Sequence, residues 1–364
     1  MENNLHRVKE PKKYDYKLIL IVGMLVCCSL IAIYSSLKLL PAFQSGIVFT
    51  QFRWVLISIA AVVVILFFGN DSLYDFINIV YNILLALLVI LFIDRILFSL
   101  TSHHLPGGLI REINGAISLY NIPGLGSLQP SEFAKPAVVL LLAGVFYRNA
   151  EVFDQNKFVT AFIPILIMMG LIFIQPNLSM LLLLLFTSVA IFLCAGGSLK
   201  LLLIGASCAI PLFILKGLKG YQSSRIMTWL NPEADPLGAG YNVIQSLVAF
   251  ATGGFYGVGY GSSKQKLAWL PEAHTDFIYA VIGEEHGFIG CVLIICLFWT
   301  ILQRGFLIAT KCQDMYGKLL ALGLTFSICF QGFLNMWVAS SFVPATGVPM
   351  PFISYGGTSI MVSL

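Results

Sequence analysis

Charge is scarce in this chain. Only 10% of its 364 residues are Asp, Glu, Lys or Arg, whereas 58% are hydrophobic. Soluble globular domains carry about 25% charged residues, so the composition excludes that class of protein. Apolar runs of about twenty residues, the length that crosses a bilayer as a helix, recur along the chain. The sequence therefore predicts a membrane protein with many spans.

Residues that bind metals or cofactors are also few and dispersed. Eight cysteines and five histidines are present, and His103-His104 is the only adjacent histidine pair. Most cysteines lie in or at the ends of apolar runs, which favours small buried hydrophobic residues over disulfides or zinc ligands. The glycine spacings match neither the Rossmann nor the Walker pattern. We predict no metal site, no cofactor and no nucleic-acid partner, and leave the use of a divalent cation open.

The apolar runs predict an all-α polytopic membrane fold of about ten transmembrane helices, with a large outer loop between helices 7 and 8. No internal repeat of the kind found in many transporters is evident. A basic tail over 1–17 precedes a single membrane domain over 18–364, with outer loops at 99–131 and 216–271 and a last helix cut off at 364. The predicted spans are 18–37, 48–68, 76–97, 133–147, 158–174, 178–195, 199–215, 277–302, 319–340 and 351–364.

The placement of Lys and Arg predicts the orientation. The tail is basic, which places the N-terminus in the cytoplasm by the positive-inside rule, and the first span is long enough to be a retained anchor. The outer segment 216–271 opposes this rule, since it contains Lys216, Lys219, Arg225, Lys264 and Lys266. Two explanations stay open: these cations meet an anionic ligand, or a long loop crosses regardless of its charge.

The densest group of ionisable residues stands at the start of the eighth predicted span. Six of them lie between Glu272 and His286, the others being His274, Asp276, Glu284 and Glu285. In a straight helix, Glu284 would lie about 12 Å beyond Asp276, too deep for a short carboxylate to reach the surface. Ionisable groups inside a membrane are costly and usually functional. A functional site is therefore predicted here, and a solvated loop end is the alternative.

The two outer loops contain further candidates. Pro130-Ser131-Glu132 is typical of a helix start, and Glu132 and Lys135 share one helix face, where they either pair with each other or bind phosphate. In the second loop, 241–251 has helical spacing typical of an interfacial helix.

The second loop continues with five glycines between 253 and 261. They either expose backbone N–H groups to a phosphate or form tight turns. The aromatic residues nearby, Phe255, Tyr256, Tyr260 and Trp269, are typical of an interfacial belt.

Four strings together resemble the SEDS family of membrane proteins. They are Gln129-Pro-Ser-Glu-Phe-Ala-Lys135, Asp235-Pro-Leu-Gly-Ala-Gly-Tyr-Asn-Val-Ile-Gln-Ser246, Leu270-Pro-Glu-Ala-His-Thr-Asp-Phe277 with Gly283-Glu-Glu285, and Pro344-Ala-Thr-Gly-Val-Pro-Met-Pro-Phe-Ile-Ser-Tyr-Gly-Gly357. The likeness covers almost the whole chain, and the Gln-Lys-Leu at 265–267 leans towards the FtsW branch over the RodA branch.

This resemblance implies a peptidoglycan glycosyltransferase that polymerises lipid II at the outer face of the bacterial cytoplasmic membrane. It implies as partners a class B penicillin-binding protein and other divisome or elongasome membrane proteins. Asp276 matches the family's essential aspartate and is the predicted general base. The predicted substrate-binding residues are Glu132, Lys135, Asn177, Arg225, Lys264, Lys266, Glu272, His274, Glu284 and Glu285. A flippase of lipid-linked precursors, with Glu284 and Glu285 as its coupling site, and a non-catalytic scaffold for a transpeptidase remain alternatives.

Two departures from the family pattern concern substrate contacts. Asn177 stands where the family usually has aspartate, and Ile117-Ser-Leu119 replaces the usual Arg-Arg-Trp, so two cations and an aromatic platform are lost. In addition, the third predicted span contains adjacent Asp94 and Arg95, which are expected to pair with each other.

Overall fold

The computed structural model describes residues 14–36, 41–101, 103, 110–113, 116–122, 126–148, 155–175, 177–200, 203, 221–238 and 240–364. The helices are α1 (Tyr16–Ser36), α2 (Pro41–Thr101), α3 (Pro130–Arg148), α4 (Gln155–Ile174), α5 (Leu178–Cys194), α6 (Tyr221–Leu230), α7 (Tyr241–Gly253), α8 (Ile278–Lys311), α9 (Met315–Ala339) and α10 (Gly357–Ser363). The strands are β1 (Ile110–Ile113), β2 (Ala116–Ile122) and β3 (Gly126–Leu128).

The helical membrane architecture is confirmed. Within the described ranges, six segments are long and apolar enough to cross a membrane, and two shorter apolar helices accompany them. The spans predicted at 48–68 and 76–97 lie in one continuous helix, α2, which holds two candidate spans, Gly46–Phe67 and Phe76–Thr101. The last predicted span begins at Gly357 and not at 351, because Pro351–Tyr355 forms a turn. The number ten stays a prediction.

Some predictions fall outside the described residues. These are most of the basic tail, most of the seventh predicted span, Lys216, Lys219, Cys208 and His104. Among the described cysteines, Cys291 and Cys329 are buried, as predicted. Cys27 and Cys296 are exposed on α1 and α8, so the prediction of buried cysteines was wrong for them. A thiol is apolar enough to face lipid from such a helix.

The first outer loop also contains three short strands, which were not predicted. Its three strands form an antiparallel sheet in the order β1-β2-β3, with Tyr120 paired to Ile110 on one side and to Leu128 on the other. Isoleucine and tyrosine favour strands because they pack well on a pleated surface. The strands are too short to stand out in a hydropathy profile set for membrane spans.

The first and eighth helices run antiparallel and are joined at both ends. Near the start of α1, Asp15 pairs with Arg304, with Oδ2 3.0 Å from Nε. Near its end, Ser35 donates a hydrogen bond of 2.6 Å to Glu285. The end of α1 therefore lies beside the first part of α8, and the start of α1 lies beside its last part.

Helix α8 changes direction at Gly287, whose φ of 63° and ψ of −160° are not helical. The glycine-rich segment after α7 packs on this kink: Phe288 N donates to Gly254 O at 2.9 Å, and Val258 N donates to Glu284 O at 2.9 Å. A Cβ atom at Gly287 would overlap the backbone of Gly257. The distance along α8 from Asp276 to Glu284 is therefore not a depth in the bilayer, as the straight-helix argument assumed.

Candidate active site

Asp276 lies in the turn that leads into α8. Its backbone carbonyl accepts a hydrogen bond of 2.9 Å from Asn335 Nδ2 on α9. Its carboxylate faces Gly347 in the irregular segment after α9. A Cβ atom on Gly347 would lie 3.4 Å from Asp276 Oδ2 and 3.7 Å from Arg225 Nη2. Gly347, with a φ of 68° that favours glycine, thus allows the carboxylate and the guanidinium to approach each other.

Two cavities meet at Asp276. The smaller, of about 260 Å³, is lined by Arg225, Asn242 and other residues of α6 and α7. The larger, of about 340 Å³, is lined by polar side chains that include Gln129 and Thr358. Glu272, Asp276 and Gly347 line both cavities. The aspartate can therefore contact molecules bound on either side of it.

The environment of Asp276 makes it a better base than an ordinary aspartate. Burial raises its pKa from 3.8 to about 6, and repulsion by Glu272 acts in the same direction, whereas Arg225 lowers it. A base with a pKa near the working pH can accept a proton in the transition state and is ionised beforehand. The carboxylate of Glu272 is held nearby because Thr275 Oγ1 donates a hydrogen bond of 2.7 Å to its Oε2.

His274 lies beside the larger cavity. Its ring centroid is 5.7 Å from that of Tyr355, a lining residue, and its carbonyl accepts a 2.8 Å hydrogen bond from Tyr355 N. Burial lowers the pKa of His274, partly offset by the charge of Glu272. A neutral imidazole at neutral pH is the consequence. Of the predicted residues, Arg225, Glu272 and Asp276 share the smaller cavity, and His274 lies beside the larger one.

Lys264, Lys266, Glu284 and Glu285 belong to a different cluster, the α8 lock, which also contains Ser35. Lys266 is buried and pairs with Glu285 at 2.7 Å. Ser35 accepts a hydrogen bond of 2.9 Å from Lys266. Glu284 accepts from Lys264 N at 3.0 Å and from Ser263 Oγ. None of these residues lines the two Asp276 cavities of the described structure.

Glu132 and Lys135 at the start of α3 pair with each other, which was one of the two alternatives predicted for them. Lys135 Nζ lies 2.6 Å from Glu132 Oε2 and also donates to Gln331 Oε1 at 2.6 Å. Gln331 in turn donates to Pro349 O at 2.7 Å, and Pro349 lines the larger cavity. The ion pair therefore reaches the cavity wall through Gln331.

The residues at the two family departures have defined positions. Asn177 is the N-cap of α5 and accepts a hydrogen bond of 3.1 Å from Met180 N. An aspartate caps a helix equally well, so the change to asparagine preserves this role. Leu119, where the family has an aromatic platform, lines the larger cavity. A smaller aliphatic surface thus replaces that platform.

Asp94 and Arg95 are neighbours on α2, where successive side chains point about 100° apart, and their pairing stays a prediction. Asp94 is fully buried and Arg95 is partly buried. The charge of Asp94 acts on Tyr120 in β2: burial raises the pKa of that phenol to about 12, and Asp94 adds to the shift. Asp94 therefore faces the sheet.

Several site residues were missed. Gly347 and Tyr355 lie in a string that was used only for the resemblance, and Gln331 and Asn335 were given no role. The last two are buried amides four residues apart on an apolar helix. Polar side chains at that spacing in a membrane span share one face and usually have a function, so this signal was available.

The chain is similar to known proteins over nearly its whole length. The FtsW/RodA/SpoVE family model, described as "Cell cycle protein", matches residues 15–364. A probable peptidoglycan glycosyltransferase FtsW from Trichlorobacter lovleyi is 35% identical over 361 residues, covering 97% of this chain and 91% of that protein. Stage V sporulation protein E of Bacillus subtilis is 38% identical over 272 residues, covering 71% of each chain.

A solved structure has the same fold over nearly its whole length. It is a chain of a peptidoglycan synthase complex that coordinates polymerization and crosslinking, and it aligns with a TM-score of 0.73 and 26% identity. The alignment covers 96% of this chain and 94% of that chain. The protein described here belongs to the FtsW/RodA/SpoVE family.

Proposed function

We propose that this protein is a peptidoglycan glycosyltransferase that polymerises lipid II, an undecaprenyl-pyrophosphate disaccharide-pentapeptide. The observation that carries this function is the placement of Asp276 between two cavities, with Arg225 across Gly347. A polymerase joins two substrates at one base, and two cavities that share a carboxylate suit that reaction. A transferred hexosyl group also needs a cation for its leaving pyrophosphate.

The reaction is a substitution at the anomeric carbon of the donor. The acceptor hydroxyl oxygen forms the new glycosidic bond, its proton passes to the Asp276 carboxylate, and the bond from the anomeric carbon to the pyrophosphate oxygen breaks with its electron pair. Arg225 stabilises the charge that develops on the departing pyrophosphate. The smaller cavity, which contains Arg225, accordingly takes the donor pyrophosphate, and the larger cavity takes the acceptor sugar.

Glu272 and the α8 lock influence Asp276 from outside the reacting atoms. Glu272 raises the proton affinity of Asp276, as its effect on the pKa indicates. The α8 lock holds the loop that leads into the Asp276 turn. Glu284 and Glu285 accept hydrogen bonds within the lock and line neither Asp276 cavity, which favours a structural role over the coupling site of a flippase.

We further propose that the site faces the outside of the cytoplasmic membrane. The basic tail predicts a cytoplasmic N-terminus, and the far end of α1 contacts Glu285, nine residues after Asp276. A class B penicillin-binding protein that cross-links the glycan is the proposed partner.

Incubation of the purified protein with lipid II in detergent tests the proposal, with glycan chains separated by gel electrophoresis. The wild-type chain should form polymer without a sealed bilayer. Asp276→Asn should form none, while Glu233→Gln, an exposed acid of the same outer loop, should match the wild type. Polymer from Asp276→Asn at the wild-type rate would exclude the catalytic assignment.

A further inference from the structure

The segment Ala345–Pro349, here named the strap, forms part of the wall of both cavities through Gly347, and of the larger one through Pro349. It has no regular secondary structure. Its carbonyls are held by side chains from elsewhere in the bundle. Arg225 donates to Ala345 O at 3.1 Å, and Ser179 donates to Thr346 O. The position of the strap therefore depends on side-chain donors and not on a backbone ladder.

Asn335 on α9 joins the strap to the catalytic turn. Its Nδ2 donates to Asp276 O at 2.9 Å and to Val348 O at 2.8 Å. The side chain is 1% exposed, so water does not compete for these hydrogen bonds. The reverse orientation of the amide would place its oxygen against both carbonyls. One NH₂ group therefore sets the separation between the Asp276 turn and the wall opposite it.

One helical turn earlier, Gln331 acts on the same strap. It donates to Pro349 O at 2.7 Å, and Lys135 holds its amide oxygen at 2.6 Å. A Lys side chain donates hydrogen bonds and cannot accept them, so Lys135 fixes which end of the Gln331 amide faces Pro349. Adjacent carbonyls of the strap are thus tied to one face of α9.

We propose that Asn335 is a positioning residue for Asp276, which holds the catalytic turn against the strap so that the carboxylate projects between the two cavities. This inference rests on the proposed function. Asn335 touches backbone carbonyls and not the reacting atoms. Its loss should therefore lower the rate of the chemical step while leaving the contacts that bind lipid II in place.

The test uses the full-length protein with Asn335→Leu, which removes both donors, and Asn335→Asp, which keeps the shape of the side chain. Thr325→Val is the matched control, since Thr325 is a buried polar residue of α9 whose hydroxyl donates to Ala321 O of the same helix. We expect kcat to fall about 10- to 100-fold in both Asn335 variants, as for a small displacement of a catalytic group. KM should stay within about twofold, and the control should match the wild type.

The pH profile separates positioning from folding. Asp276 faces Glu272 in its own turn and Arg225 on α6, and Tyr355 lines the larger cavity beside it. A turn released from Asn335 lets water reach the carboxylate, so the acid limb of kcat should move to lower pH. A variant that only lowers the folded fraction would reduce kcat by the same factor at every pH. An acid limb at the wild-type pH would therefore contradict the proposal.

Amide hydrogen exchange tests the role of Asn335 without depending on enzyme activity. The N–H groups of Thr275 and Phe277 donate to Glu272 O at 3.1 and 3.3 Å. Loss of the two buried Asn335 hydrogen bonds should speed their exchange about 10- to 30-fold. Unchanged exchange, or the loss of monodisperse protein in both variants, would overturn the positioning role. If the wild type forms no polymer, the proposed function fails, and the exchange result still decides whether Asn335 holds the turn.

Discussion

The substitution Asp276→Asn should lower the rate of polymerisation sharply and stabilise the protein at the same time. In the folded protein the pKa of Asp276 is about 6, against 3.8 for an ordinary aspartate, with burial as the main cause. The folded state therefore disfavours the ionised carboxylate. A difference of this size corresponds to at most about 3 kcal/mol of unfolding free energy at neutral pH, at 1.36 kcal/mol for each pKa unit.

The sign follows from linkage. A carboxyl group whose pKa is raised in the folded state binds protons more tightly when folded, so the unfolding free energy falls as pH rises. The destabilisation is absent below about pH 3.8, grows between there and about pH 6, and is complete above it. Asparagine has the size and polarity of the neutral acid and escapes this cost.

Thermal unfolding in detergent at pH 4 and pH 7.5 measures this effect. Asp276→Asn should melt above the wild type at pH 7.5 and close to it at pH 4. Polymerisation by the same sample should fall about 10²- to 10⁴-fold, as for the loss of a general base. Equal melting temperatures at both pH values would refute the argument that burial raises the proton affinity of Asp276.

Three further predictions concern other parts of the site. Arg225→Gln should lower kcat and move the acid limb of the pH–rate profile to higher pH, because Arg225 holds the Asp276 pKa down; an unmoved limb would place the guanidinium too far away to act. Glu285→Gln leaves the buried Lys266 unpaired and should cost about 3–5 kcal/mol of unfolding free energy, whereas the double variant with Lys266→Met should recover most of it, as chemical denaturation would show. Asn177→Leu should cost about 1 kcal/mol through loss of the helix cap, and Asn177→Asp should be neutral; equal melting temperatures for the two would rule out capping.

The sequence by itself determined the membrane class and the family, and it predicted Asp276 as the catalytic residue. Hydropathy is a local property, so long apolar runs predict membrane helices whichever helices pack beside them. The turn before α8 is likewise a continuous string, and the helix at Tyr241–Gly253 and the start of α3 at Pro130 were both predicted from local spacing. These features depend on residues close together in the chain.

Only the tertiary structure decided which charges meet. Arg225 lines the Asp276 cavity, while Lys266, much nearer in the chain, pairs with Glu285 in the α8 lock. Asn335 joins two segments that sequence spacing does not connect. The physical reason is that a buried charge or amide takes its partner from whichever helix packs beside it. That choice depends on the kink at Gly287 and on the packing of the whole bundle.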